Sequence, residues 1–133
     1  MFRRLSWSAD GQFISTTAGR CGGVHTAPLI ERSSWRLISS LSGHHKTITS
    51  SRINPRLYRD NNNLSEGANL ACYSVVAIAS IDSTITVWKP GMIHPLTVEM
   101  DVFTMGISDL SWGFNGNILL ASSHDGKVVM LHY

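Results

Sequence analysis

The sequence predicts an all-β chain of repeated four-stranded sheets, and three observations carry that prediction. Runs rich in β-branched residues, nearly all apolar at 74–80 and alternating at 84–88, recur between turn signals. Asp10-Gly11, Asn115-Gly116 and Asp125-Gly126 punctuate the chain, and such pairs mark hairpins because glycine accepts the left-handed backbone of a tight turn. Asp82 and Asp125 lie 43 residues apart, as do Trp88 and Leu131, so the pattern repeats with the period of a structural unit.

The organising stretch is 80–88, Ser-Ile-Asp-Ser-Thr-Ile-Thr-Val-Trp, read with Gly43-His44 before it. A strand end, a turn carrying an aspartate and a strand closed by tryptophan make the core of a WD40 repeat. Asp82 is expected to accept hydrogen bonds from backbone N–H groups and from His44. His44 then passes its other ring bond to the Ser80 hydroxyl, and Ser80 to the indole of Trp88. Buried charge-assisted bonds of this kind are worth about 1.5–3 kcal/mol each. The role is structural, because a catalytic His/Asp pair needs a nucleophile or metal beside it and none has motif spacing here.

Propellers close with about four to eight blades. A chain of 133 residues holds about three units of about 40–45 residues, so the expectation is a partial WD40 β-propeller. The blades are 1–42, 43–100 with a polar insertion at 56–72, and 101–133, the last truncated. Residues 4–8 and 12–17 form the first hairpin around Ala9-Asp10-Gly11. A glycine-rich loop over 18–26 has neither a dinucleotide nor a phosphate motif. A short strand follows at 27–30, with Pro28 at its edge or start because proline cannot donate to the ladder. The outer strand is 34–41, with Trp35 packed on it.

In the second blade, 46–53 is the inner strand, ended by Asn54-Pro55. The composition of 56–72, with Asn61-Asn62-Asn63, reads as an exposed, mobile insertion. Residues 74–80 suit a strand buried on both faces, 84–88 the next, and 96–100 the outer one. In the third blade, 107–112, 118–123 and 128–133 are strands, and 101–106 replaces the Gly-His segment, so the histidine staple is absent. His124 lies beside the turn and does not take the part of His44.

The net charge of +2 conceals an asymmetry. Residues 1–60 hold nine lysines and arginines against three acids, while the remainder holds two against six. That is compatible with a basic-protein or nucleic-acid partner, and its plainer reading is a solvated bias. Cys21 and Cys72 form no CxxC pair and suit a reducing compartment. His25, His94 and His132 lack metal-ligand spacing. No cofactor motif and no run of 18 apolar residues is present, which argues against a small-molecule enzyme and a helical membrane span.

A more specific resemblance runs through the chain. Residues 4–13, RLSWSADGQF, resemble the RLSWSPDG segment of the HIRA-type histone regulatory proteins, with Ala9 standing at the proline. Residues 30–35, IERSSW, are similar to that family's IERExW strand. GHHKTIT at 43–49 and INPRLY at 53–58 resemble its GHRKAVT and FNPKIF segments, and Ser50-Ser51 replace more apolar positions. The family also carries a polar insertion where 59–70 lie. Ser80-Ile81-Asp82-Ser83 with Val87-Trp88 fits its SxDxxLSVW element, and ISDLSW at 107–112 its MDISW opening.

The resemblance implies a nuclear, non-enzymatic scaffold in a histone H3–H4 chaperone complex. Such a complex acts in replication-independent chromatin assembly and transcriptional regulation, including repression. It implies partnership with a ubinuclein-like subunit, with the smaller H3–H4 chaperone binding through regions outside this chain, and association with chromatin. Mechanism is then positioning without bond chemistry, and Arg56 and Arg59 are candidates to meet an acidic partner segment. Two alternatives stay open: the WD-repeat subunit of the replication-coupled chromatin assembly factor, and a generic WD40 interaction adaptor.

Overall fold

Gly22 and Gly23 decide the shape of the first sheet. Both take positive φ, 55° and 84°, which lets two residues reverse the chain between strands β3 (Gly19–Cys21) and β4 (Val24–Glu31). The glycine-rich stretch expected as a loop is therefore a hairpin. The structure, a computed structural model, describes residues 3–59 and 72–133.

In this sheet β1 (Ser6–Trp7), β2 (Phe13–Ser15), β4 and β3 follow one another, and β5 (Leu37–His44) pairs with the free side of β4. Both β2 and β3 lie along β4, one against each half of it. Pro28 sits between those halves, in mid-strand and paired with Ser40 of β5, where an edge or strand start was expected. Its carbonyl accepts the Thr16 N–H at 2.9 Å. Amide and carbonyl of one residue face the same antiparallel neighbour. Proline thus leaves that side one donor short, and the neighbouring strand breaks there into β2 and β3.

Trp35 also departs from expectation. It lies in the turn before β5 with φ 54°, and its side chain is 64% exposed instead of packed on a strand.

The second sheet runs β6 (Ile48–Arg59), β7 (Cys72–Ser80), β8 (Ile85–Trp88) and β9 (Thr97–Glu99), all antiparallel. The expected end of the inner strand at Asn54-Pro55 is instead a register shift between Ile53 and Leu57. Beyond it Leu57, Tyr58 and Arg59 pair with Ser74, Tyr73 and Cys72. A bulge lets proline stay in a strand by taking it out of the ladder. Of the insertion at 56–72, residues 60–71 lie outside the described residues. The third sheet is β10 (Ile107–Trp112), β11 (Ile118–Ser123) and β12 (Val128–His132), at the positions the alternation and turn pairs predict.

Packing places the second sheet in the middle. One face carries Ile48, Ile53, Val76, Ile78 and Trp88 against Ala27, Leu29 and Leu41 of the first sheet. The other carries Val75, Ala77, Ala79, Ile85 and Val87 against Ile107, Leu110, Leu119 and Ala121 of the third. Strand β7 is apolar from Val75 to Ala79 because that stretch is buried on both faces.

The inner strands are joined directly. The Asp109 carboxylate accepts from Arg52 at 2.9 Å and from the Ser50 hydroxyl at 2.9 Å, with Arg4 at 3.7 Å. Arg52 also donates to the Leu110 carbonyl at 3.0 Å, and the Ser15 and Ser51 hydroxyls bond between the first and second sheets. These repeated antiparallel sheets, stacked face to face, form an open partial WD40 β-propeller.

Candidate functional site

The turn between β7 and β8 is set by two short side chains. The Ser80 hydroxyl accepts the Asp82 N–H at 3.2 Å and donates to the Lys46 carbonyl at 3.2 Å. Asp82 Oδ1 then accepts the Thr84 N–H at 3.0 Å. Such bonds from a side chain to backbone two residues on are how serine and aspartate favour turns.

His44 approaches from the end of β5 and is 2% exposed. Gly43 before it has φ 143°, and a Cβ there would lie 3.7 Å from the Trp88 ring, so the chain passes close over the indole. His44 Nδ1 donates to Asp82 Oδ2 at 3.2 Å, and the same oxygen accepts the His45 N–H at 3.1 Å. On the far side of the ring, Nε2 lies 2.9 Å from Thr86 Oγ1, which also accepts the Trp88 indole N–H at 2.9 Å. With the proton on Nδ1, the Thr86 hydroxyl donates to Nε2. Every bond then points the same way, from indole through hydroxyl and imidazole to carboxylate.

His44, Asp82 and Trp88 are thus brought into one network, while Ser80 is not its middle link. Thr86 takes that place, a correction with a simple geometric cause. Thr86 and Trp88 are two residues apart on β8 and share a face. The register pairs Thr86 with Ile78, which leaves Ser80 two positions beyond, at the turn. Alternation along β8 is the signal that points to Thr86.

Burial pushes the Asp82 carboxyl up, but the hydrogen bond and the electrostatic attraction from His44 outweigh that. Together with the Thr84 and His45 N–H groups they hold it well below the usual carboxylate range. Asp125 occupies the matching turn of the third sheet. It accepts from the Lys127 N–H at 3.0 Å and from the Thr104 N–H and hydroxyl at 3.2 and 3.0 Å, so threonine stands where the second sheet uses histidine. Desolvation pushes its carboxyl up, and these bonds together with one from Ser123 more than offset it, leaving it lowered.

Among the described residues no group of three His, Cys, Asp or Glu side chains could hold a metal. Each polar group of the His44–Asp82 network is engaged in holding a turn or loop. The WD40 fold is a non-catalytic interaction scaffold.

Comparison with known proteins agrees with this architecture. Residues 98–130 match the family model described as WD domain, G-beta repeat. The chain is 35% identical over 149 residues to Protein HIRA of Oryza sativa subsp. japonica, covering 99% of this chain and 15% of that protein. It is 36% identical over 132 residues to Protein HIR1 of Cryptococcus neoformans, again 99% and 15%. To Protein HIRA of Homo sapiens it is 33% identical over 131 residues, 98% of this chain and 13% of that protein. The chain therefore spans a small part of these relatives' length. It carries a WD40 repeat and is homologous, over nearly all of its own residues, to a segment of HIRA and HIR1 proteins.

Proposed function

We propose that this chain is part of the propeller scaffold of a nuclear histone H3–H4 chaperone complex. It serves replication-independent chromatin assembly and transcriptional regulation, including repression. The three sheets act as blades over 1–42, 43–100 and 101–133, stiffened in the middle by the His44–Asp82 network. Their loops hold a ubinuclein-like subunit, while histones and the smaller H3–H4 chaperone join through the rest of the assembly. Rigid blades with variable rims suit positioning of partners and need no bond chemistry. The positive bias of 1–60 suits an acidic partner segment better than the histones, which are themselves basic.

The observation that supports this reading is similarity over 98–99% of the chain to HIRA and HIR1 proteins from a plant, a fungus and an animal. Co-purification of the full chain from nuclear extract tests it. Recovery of H3–H4 with a ubinuclein-like subunit is expected. Recovery of neither, under conditions that keep other chromatin complexes intact, overturns it.

A further inference from the structure

The face that the third sheet turns away from the second repeats the plan of a face that is already covered. Val75, Ala77, Ala79, Ile85 and Val87 of the second sheet are buried where the third sheet packs on it. The 43-residue period carries these positions to Ile118, Leu120, Ser122, Val128 and Met130. The register repeats with them. Ala77 pairs with Val87 and Ala79 with Ile85, as Leu120 pairs with Met130 and Ser122 with Val128. In the third sheet the positions are open: Leu120, Met130 and Val128 are 40, 55 and 68% exposed, beside a groove of about 190 Å³.

The first sheet carries the other half of such a contact. Its hairpin LSWSADGQFI at 5–14 matches LSWGFNGNIL at 110–119. Trp7 pairs with Ile14 as Trp112 pairs with Leu119. Leu110 and Leu119 are buried, and Trp112 is partly buried, in the core with which the third sheet covers the second. Their counterparts Leu5 and Trp7 are 58 and 46% exposed.

The polar contacts carry over with a change of charge. Ser50 and Arg52 of β6 face Ala79 and Ala77, and Asp109 and Ser111 of β10 face the equivalent Ser122 and Leu120. Asp109 thus stands in the place of Ser50, and in the hairpin match Arg4 stands in the place of Asp109. The Ser50–Asp109 bond between the second and third sheets becomes, between a third and a first sheet, a carboxylate facing a guanidinium. Asp109 Oδ1 is already held by Arg52 and Ser50, while Oδ2 has only the distant Arg4 of its own chain at 3.7 Å in the ion pairs of the described residues. Likewise the Trp112 indole donates to the Arg52 carbonyl at 3.0 Å. The equivalent pair is the Trp7 indole and the Ser111 carbonyl.

Number selects the occupant. A stacked repeat buries its apolar face only against a neighbour of the same kind. Two copies of a three-sheet chain place six sheets in a ring, within the roughly four to eight that close a propeller, whereas one copy gives too few and three copies too many. A contact between two different faces closes into a ring when each copy supplies one of each. Here each copy does, so two identical contacts cover all four open faces and continue the stacking seen twice within the chain.

We propose that two copies of this chain associate head to tail, the third sheet of each covering the first sheet of the other, with Asp109 of one copy meeting Arg4 of the second. The inference goes beyond the chaperone assignment and is tested without histones or any other protein. Its failure is therefore separable from failure of that assignment.

Sedimentation equilibrium of the full chain at micromolar concentrations is the test. A reversible monomer–dimer equilibrium is expected, with a urea midpoint that rises with protein concentration because association stabilises the folded form. Leu120→Lys on the third sheet and Leu5→Glu on the first are each expected to weaken the dimer at least tenfold. An equimolar mixture of the two is expected to restore it, since one contact is then wild type and the other sets lysine against glutamate. Circular dichroism checks that each variant is folded, and Val128→Lys, at the most exposed of the matched positions, replaces Leu120→Lys if that variant unfolds. A wild-type chain that stays monomeric overturns the proposal, as does one that passes to larger assemblies without a dimer. So does a dimer that survives Leu5→Glu, which joins like faces, or one that the mixture of folded variants fails to restore.

Discussion

The Asp82 and Asp125 turns start from the same design and end in different strength. In both, a serine two residues earlier accepts the aspartate N–H, at 3.2 Å from Ser80 and 3.4 Å from Ser123. In both, the aspartate accepts the N–H two residues on, at 3.0 Å. They diverge in what reaches in from outside. Asp82 meets a buried imidazole that is itself linked to Thr86 and Trp88, whereas Asp125 meets Thr104 at the surface. The turn and the relay behind it are separable layers, and a blade can fold with the first alone.

The largest test of that separation removes the end of the relay. Trp88→Ala is expected to cost about 3–5 kcal/mol through lost packing and a cavity against the first sheet. Leu131→Ala, at the matching half-buried position, is expected to cost about 1–2 kcal/mol. Urea denaturation midpoints of the full chain measure both, and equal losses break the comparison.

Next in size, Asp82→Ala leaves His44 and two backbone N–H groups without their acceptor, an expected loss of about 2–3 kcal/mol. Asp125→Ala is expected to lower the midpoint clearly less, because its partners are open to water. Thr86→Val keeps the shape of the strand but strands the indole N–H and the His44 ring nitrogen, for about 1–2 kcal/mol. If Ser80→Ala costs more than Thr86→Val while leaving the indole protected from hydrogen exchange, the turn outranks the relay.

The smallest effect is in the acid limb. The Asp82 carboxyl titrates lower in the folded chain than the ordinary value of about 3.9 in the unfolded one. Between those values the unfolded state binds more protons. The group's contribution is thus complete above about pH 4 and is lost as pH falls through the folded value. Asp82→Asn is expected to flatten the fall of the urea midpoint from pH 5 to 3.

Much of this was legible in sequence wherever a local rule and a tertiary need agree. In the third sheet, Asn115-Gly116 and Asp125-Gly126 mark the hairpins and alternation fills the strands between them, so its strand positions follow. The pairing of His44 with Asp82 follows from repeat spacing. What escaped depends on neighbours across sheets. Whether Ser80 or Thr86 receives the imidazole is a matter of register, since both are small hydroxyls on the same hairpin. Pro28 reads as an edge residue until β2 and β3 are seen to share β4. Asn54-Pro55 reads as a strand end because nothing local announces that pairing resumes at Leu57.

The Asp109 carboxylate gathers Arg4 from before the first strand and Arg52 from the second sheet, across separations of 105 and 57 residues. On a ribosome adding about 5–20 residues per second, the two guanidiniums emerge seconds ahead of the anion that unites them. During that interval Arg4 and Arg52 lack the carboxylate that brings them together. The tie between the inner strands of the second and third sheets can therefore close only after residue 109 has cleared the exit tunnel.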